Sequence, residues 1–111
     1  MSQDSLTGDE LVRVLATLGS PHRVRVLAAL SQGRAYVSQL ARDLGISRAL
    51  LQVHLKKLER AGLVTAHLEL SDDGKALKFY EIAPFSLHLT PAAMAAAAAS
   101  LTNVALGEGP E

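Results

Sequence analysis

The chain has 111 residues, enough for one compact domain with a single core. Apolar residues make up 49% and charged residues 20%, as in an ordinary globular protein, and the longest apolar run, an alanine-rich stretch near the C-terminus, is too short and too weakly hydrophobic to span a bilayer. Cysteine is absent, which excludes disulfides, thiolate metal sites and thiol redox sensing. No basic n-region with a cleavage site opens the sequence, so a cytoplasmic location is expected. The formal net charge is zero, yet its distribution is uneven. Between Arg13 and Arg60 stand nine cations (Arg13, Arg23, Arg25, Arg34, Arg42, Arg48, Lys56, Lys57, Arg60) and two acids, Asp43 and Glu59. Such an excess can carry a positive field on one face of a neutral protein.

Residues 1–8 are polar and expected to be flexible. Thr7 and Glu10 have the spacing of a capping box. A first helix then runs to about Leu18, with Leu11, Val14, Leu15 and Leu18 on one stripe. Gly19 ends it. Ser20-Pro21 opens a second helix, serine as N-cap and proline at the first helical position, and its inner face is Val26, Leu27 and Leu30. Gly33 is its expected end. A short extended piece, Ala35 to Val37, precedes Ser38 as N-cap of a brief third helix, Gln39 to Leu44. Gly45, Ile46 and Ser47 form a tight turn into a fourth helix that reaches about Ala61 and stops at Gly62. Two short helices joined this closely are the signature of a helix-turn-helix.

Beyond Gly62 the pattern becomes strand-like. Leu63 to Leu70 and Lys75 to Ile82 flank Ser71-Asp72-Asp73-Gly74, a hairpin turn that would form a wing. Phe79 and Tyr80 are adjacent on the second strand and point to opposite faces, one filling the core and the other packing near the dimer helices or an effector pocket. Thr90-Pro91 starts a last helix, Ala92 to about Leu106, and residues 107–111 form a disordered tail. The expected architecture is mainly α with a small β-hairpin, a winged helix-turn-helix of order α-α-α-α-β-β-α, occupying residues 9–106.

Helical geometry separates the faces of the fourth helix. Leu51, Leu55 and Leu58 cluster on one side as core; Ala49, Gln52, Val53, Lys56 and Arg60 lie opposite, with Lys57 nearby. A small residue, an amide, a methyl-bearing residue and several cations are the groups that read a major groove. Arg48 stands at the N-terminal end, where helix-turn-helix proteins place base contacts. An exposed valine has no bland explanation; a groove supplies one.

The stretch Ile46-Ser47-Arg48-Ala49-Leu50-Leu51-Gln52-Val53-His54-Leu55-Lys56-Lys57-Leu58-Glu59-Arg60-Ala61-Gly62-Leu63-Val64 resembles the recognition-helix signature of the ArsR family of winged-helix repressors. Ser20-Pro21-His22-Arg23-Val24-Arg25-Val26-Leu27-Ala28-Ala29-Leu30 is similar to that family's second helix, and the likeness covers about residues 10 to 83. The resemblance implies a homodimer that binds an operator and often releases it when an effector binds. Val37-Ser38-Gln39-Leu40 departs from the Cys-x-Cys of the family's thiol sensors, and Ala92 to Leu106 lacks the Asp and His ligands of its zinc sensors. Val53 stands where many members have arginine, Leu50 where a small polar residue is common, and His54 where histidine is common.

These readings assign Arg48, Gln52 and Val53 to base contacts, and Arg23, Lys56, Lys57 and Lys78 to phosphate. Ser47, Ala49, His54 and Lys75 complete the DNA-facing set, His54 through packing or a phosphate contact. The alanine-rich last helix needs neighbours on two sides. Leu11, Val14, Leu15 and Leu18 of the first helix with Met94, Ala97, Ala98, Leu101 and Val104 of the last are therefore the expected dimer interface. His22, His54, His67 and His88 show no ligand spacing, so no metal or cofactor is expected and any effector is unidentified. No catalytic motif is present. The expected function is double-stranded DNA binding by a homodimeric transcriptional regulator, a repressor on an inverted repeat. The alternative is a winged-helix interaction or dimerisation module that does not bind DNA.

Overall fold

A computed structural model describes residues 6–102. The described residues form α1 (Gly8–Leu18), α2 (Pro21–Leu30), β1 (Ala35–Tyr36), α3 (Val37–Leu44), α4 (Arg48–Arg60), β2 (Val64–Leu70), β3 (Ala76–Ile82) and α5 (Pro91–Ala98). The strands make one antiparallel sheet in the order β1-β3-β2. The hairpin register pairs Val64 with Ile82 and Leu70 with Ala76, and β1 adds Ala35 opposite Tyr80 and Tyr36 opposite Phe79.

The helix starts follow local chemistry. Thr7 and Glu10 complete the capping box, Ser20 caps α2 with Pro21 behind it, and the Thr90 hydroxyl accepts from the Ala93 amide before α5. The end of α2 and the start of α3 differ from expectation. α2 stops at Leu30, and the Gln32 and Gly33 amides donate to Ala29 and Leu30 in a tightened final turn. α3 begins at Val37 behind Tyr36, without a side-chain cap, so Ser38 lies inside its first turn. Strand pairing of Tyr36 with Phe79 holds the extended backbone that a capping side chain would otherwise set.

The core gathers Val14, Val26, Leu27, Leu30, Val37, Leu40, Leu51, Leu55, Leu58, Leu63, Val64 and Tyr80 with smaller residues. Each large side chain removed from water contributes roughly 1.5–3 kcal/mol before conformational entropy is counted. Tyr80 takes the core side of β3. Phe79 is buried on the other side, not against α1 or α5, as expected from sequence, but within the sheet: Tyr36 meets it edge-on, His67 stacks on it and the Arg34 guanidinium lies 4.0 Å from its ring centre.

α5 is held to α1 of its own chain. The Ser100 hydroxyl accepts from the Gly8 amide at 2.7 Å, and the Thr102 amide donates to Asp9 Oδ1 at 2.9 Å. These side-chain bonds compete with continued helix, which ends at Ala98, short of the expected Leu106. Val104 and the expected tail lie outside the described residues. α5 has no buried residue. No described helix is long and apolar enough to cross a membrane.

Candidate nucleic-acid interface

The turn between α3 and α4 fixes the direction of α4. Gly45 has φ 68°, a left-handed conformation that favours glycine, and the Gly45 and Ile46 amides donate to Arg42 and Ala41 carbonyls to close α3. Ser47 Oγ then accepts from the Leu50 amide at 3.0 Å. Leu51, Leu55 and Leu58 are completely buried, so α4 is clamped to the core along one stripe.

The opposite face is open. Arg48, Ala49, Gln52, Val53, Lys56, Lys57 and Arg60 are exposed, Val53 at 51%, and the exposed Leu50 and Glu59 lie beside them. Arg48 and Gln52 also line a cleft of about 230 Å³ with Ser38 at the start of α3 and Lys78 on the wing. The structure thus brings three of the side chains expected at DNA, Arg48, Gln52 and Lys78, to one concavity between helix and wing.

At the wing tip Asp73 is tied by hydrogen bonds within the turn while staying exposed. Gly74 has φ 83°, Asp73 is bonded by the Ser71 hydroxyl, and the Lys75 amide lies 3.3 Å from Asp73 Oδ1. The hydroxyl and that amide hold the Asp73 carboxyl below its usual pKa. Lys75 Nζ is 4.0 Å from the same carboxylate, so part of its charge is offset locally. Among the described residues Lys78 has no carboxylate in pairing distance, and it lies 5.5 Å from the Tyr80 ring centre.

Four expected site residues are located differently from the sequence-based picture. His54 is only 8% exposed, covered by His22 and Arg23 of α2, and cannot present its ring to a groove. Burial, Arg23, His22 and Lys57 lower its pKa, in that order. Arg23 is half-buried; its Nε donates to the Thr17 carbonyl at 2.6 Å and its Nη1 lies 3.2 Å from His54 Nδ1, so it ties α1, α2 and α4 together. Leu11 and Val14 are buried at 4% and 2% within their own protomer and are not available to a second chain. α1 packs on α2 and α5 of its own chain, and Val14 joins the core. Leu15 and Leu18 remain half-buried, Ala97 half-buried, and Met94, Ala98 and Leu101 exposed, Leu101 lying beyond the end of α5. Val12 and Leu89 are exposed and apolar and were not anticipated; Val12 was the legible one, an apolar residue just off the α1 core stripe. Among the described residues no three of His, Asp and Glu gather as metal ligands, and His67 instead meets Glu81 at 3.3 Å.

Residues 20–66 match the profile of the arsR family of bacterial regulatory proteins. An uncharacterised helix-turn-helix-type transcriptional regulator of Methanocaldococcus jannaschii is 31% identical over 80 residues, 72% of this chain and 83% of that protein. The transcriptional regulator CmtR of Mycobacterium tuberculosis is 42% identical over 59 residues, 53% of this chain, which spans half of CmtR's length. Among solved structures, the homodimeric winged helix-turn-helix DNA-binding domain of a possible ArsR-family regulator from Mycobacterium bovis superposes with a TM-score of 0.61 at 29% identity, covering 68% of this chain and 66% of that one. With the turn, the clamped α4 and the wing in that arrangement, the chain belongs to the arsR family of winged helix-turn-helix transcriptional regulators.

Proposed function

We propose that the protein is a sequence-specific double-stranded DNA-binding repressor acting as a homodimer on an inverted-repeat operator. The observation that carries this reading is the outward face of α4, where a half-exposed Val53 sits among Ala49, Gln52 and a ring of cations. Water gains nothing from that valine, whereas a thymine methyl in a major groove does. Gln52 suits adenine, and Arg48, at the N-terminal end of α4 and bordering the wing cleft, suits guanine. Lys56, Lys57 and Lys78 supply phosphate contacts, which position the helix without reading sequence.

Dimerisation supplies the second reading helix, one turn of DNA away. The M. bovis neighbour is described as homodimeric. Here the α1–α5 side carries Leu15, Leu18, Met94, Ala97, Ala98 and Leu101 at partial or full exposure. Fluorescence anisotropy with duplex from the protein's own promoter region, over a series of salt concentrations, tests the reading. Tight binding that falls steeply with salt supports it; no binding to that duplex or to random duplex at low salt rejects it, and leaves the interaction-module reading.

A further inference from the structure

A second concavity lies away from the wing, between the C-terminal halves of α1 and α4. It has a volume of about 250 Å³ and is lined by Arg13, Ala16, Thr17, Arg23, Lys57 and Arg60. Four of these six residues are cations and none is an acid, in a chain whose acids equal its lysines and arginines. Among the described residues the ion pairs are Arg34–Glu69, His67–Glu81 and Lys75–Asp73, so the four cations have no carboxylate in pairing distance. Glu10, which borders the adjoining groove with Arg13 and Arg60, accepts from the Thr7 amide at 2.8 Å, and Asp9, one turn before Arg13 and within reach of its charge, is hydrogen-bonded by Thr102.

Like charges held together on packed helices repel, by about 1 kcal/mol per pair at 4 Å even in water. An anion in their midst reverses that sign and meets guanidinium donors suited to planar or tetrahedral oxyanions. Arg23 is already oriented by Thr17 and His54, which gives the cavity one fixed wall. Ala16 also lines the cavity, and a larger side chain there would take up part of the space. His54, one turn before Lys57, has a buried Nε2 with no hydrogen-bond partner among the described residues, and its pKa is lowered by burial first and then by the charges of Arg23, His22 and Lys57.

We propose that this cavity binds a phosphate-type oxyanion, held by Arg13, Arg23, Lys57 and Arg60. The site shares Lys57 with the surface assigned to DNA, while Arg13, Arg23 and Arg60 lie outside the residues assigned there to phosphate. Its anion is either free in solution or a phosphate of the duplex backbone at the flank of the operator.

Calorimetric titration of the full chain with inorganic phosphate, chloride balancing the ionic strength, decides the matter without DNA. Saturable heat is expected, with a melting-temperature rise of roughly 5 °C when phosphate is ten times its Kd. Arg13→Gln and Ala16→Leu should each abolish the saturable part, the first by removing charge and the second by filling the cavity with every charge retained. Circular dichroism confirms that both remain folded. A non-saturating rise equal in wild type and both variants is solvent exclusion by phosphate, and overturns the proposal. So does saturable binding that survives both changes.

A second arm separates the sources. If phosphate raises the apparent Kd for duplex competitively in wild type but not in Arg13→Gln, the site takes a backbone phosphate. If duplex affinity responds without competition, or not at all, the site takes a free anion. Failure to bind any duplex would sink the repressor reading and leave the calorimetric result standing.

Discussion

Arg23 Nη1 lies 3.2 Å from His54 Nδ1, and the contact dictates the protonation of a buried ring. A guanidinium only donates, so Nδ1 must accept and the single proton of the neutral imidazole sits on Nε2. Protonating Nδ1 would set two cationic donors against each other, with His22 only 5.1 Å away ring to ring. The residue that resembles a DNA contact in sequence is thus a neutral spacer between α2 and α4.

Stability should therefore fall on acidification. His54 has its pKa lowered by burial first and then by Arg23, His22 and Lys57, so the folded state binds its proton less readily than the unfolded chain does. Below the unfolded value of about 6.5 the unfolded state holds more protons, and stability declines until the folded pKa is passed. Melting curves between pH 7.5 and 5 should show this loss. His54→Asn retains an acceptor for Arg23 but cannot titrate, and its melting temperature should change less over the same range. An equal slope in both proteins would assign the acid sensitivity to other groups.

The two classes of contact on α4 should separate in binding experiments. Arg48→Ala should cost about 1–3 kcal/mol on the preferred duplex and relax preference at one base position, because a base-reading side chain is lost. Lys56→Ala should weaken all duplexes alike and reduce the salt slope by about one unit. Anisotropy on matched and single-mismatch duplexes at several salt concentrations measures both quantities. A uniform, salt-sensitive loss in Arg48→Ala would reassign that residue to the phosphate backbone.

Gly8 should tolerate no side chain. A methyl on its Cα would collide with the Ala97 carbonyl oxygen and press on Leu101, and the obstacle is backbone rather than a flexible tip. Gly8→Ala should gain a little in helix propensity and lose more by prising α5 from α1, at about 1–3 kcal/mol. Sedimentation equilibrium should show a weakened dimer alongside the lower melting temperature. Unchanged assembly would mean that the α1–α5 side is not where the subunits meet.

What could be read from the sequence was local. Leu51, Leu55 and Leu58 repeat at helical spacing, so the buried stripe of α4 and the exposure of Val53 follow from periodicity alone. Ser47, Ser20 and Thr90 announce helix starts through chemistry that spans three residues. What could not be read depends on distant partners. The extended piece at Ala35 was legible, but its pairing as β1 with Phe79 and Tyr80 of β3 was not. α5 ends early because Ser100 and Thr102 find Gly8 and Asp9, more than ninety positions away. His54 flanks the leucine stripe, and nothing in its own helix says that Arg23 and His22 cover it. For the same reason Leu11 and Val14 could be identified as an apolar stripe on α1, but not assigned to their own core rather than to a partner.

Ser47 carries the last prediction, because two substitutions there divide folding from recognition. Its hydroxyl accepts from the Leu50 amide and starts α4, while the residue itself is exposed at the end of the helix nearest Arg48. Ser47→Ala removes the cap and should cost about 1 kcal/mol of stability, with a matching loss of DNA affinity if α4 frays. Ser47→Asp keeps an acceptor of the right reach and adds a negative charge, which suits a helix N-terminus. Its stability should equal or exceed that of the natural protein. Against a phosphate backbone the same charge is repulsive, so duplex affinity should drop at least tenfold, most at low salt where screening is weakest. Thermal melts and anisotropy on the two variants give the comparison. Full duplex affinity in a stable Ser47→Asp protein would show that the N-terminus of α4 does not approach DNA, and would leave Gln52 and Val53 without a groove to read.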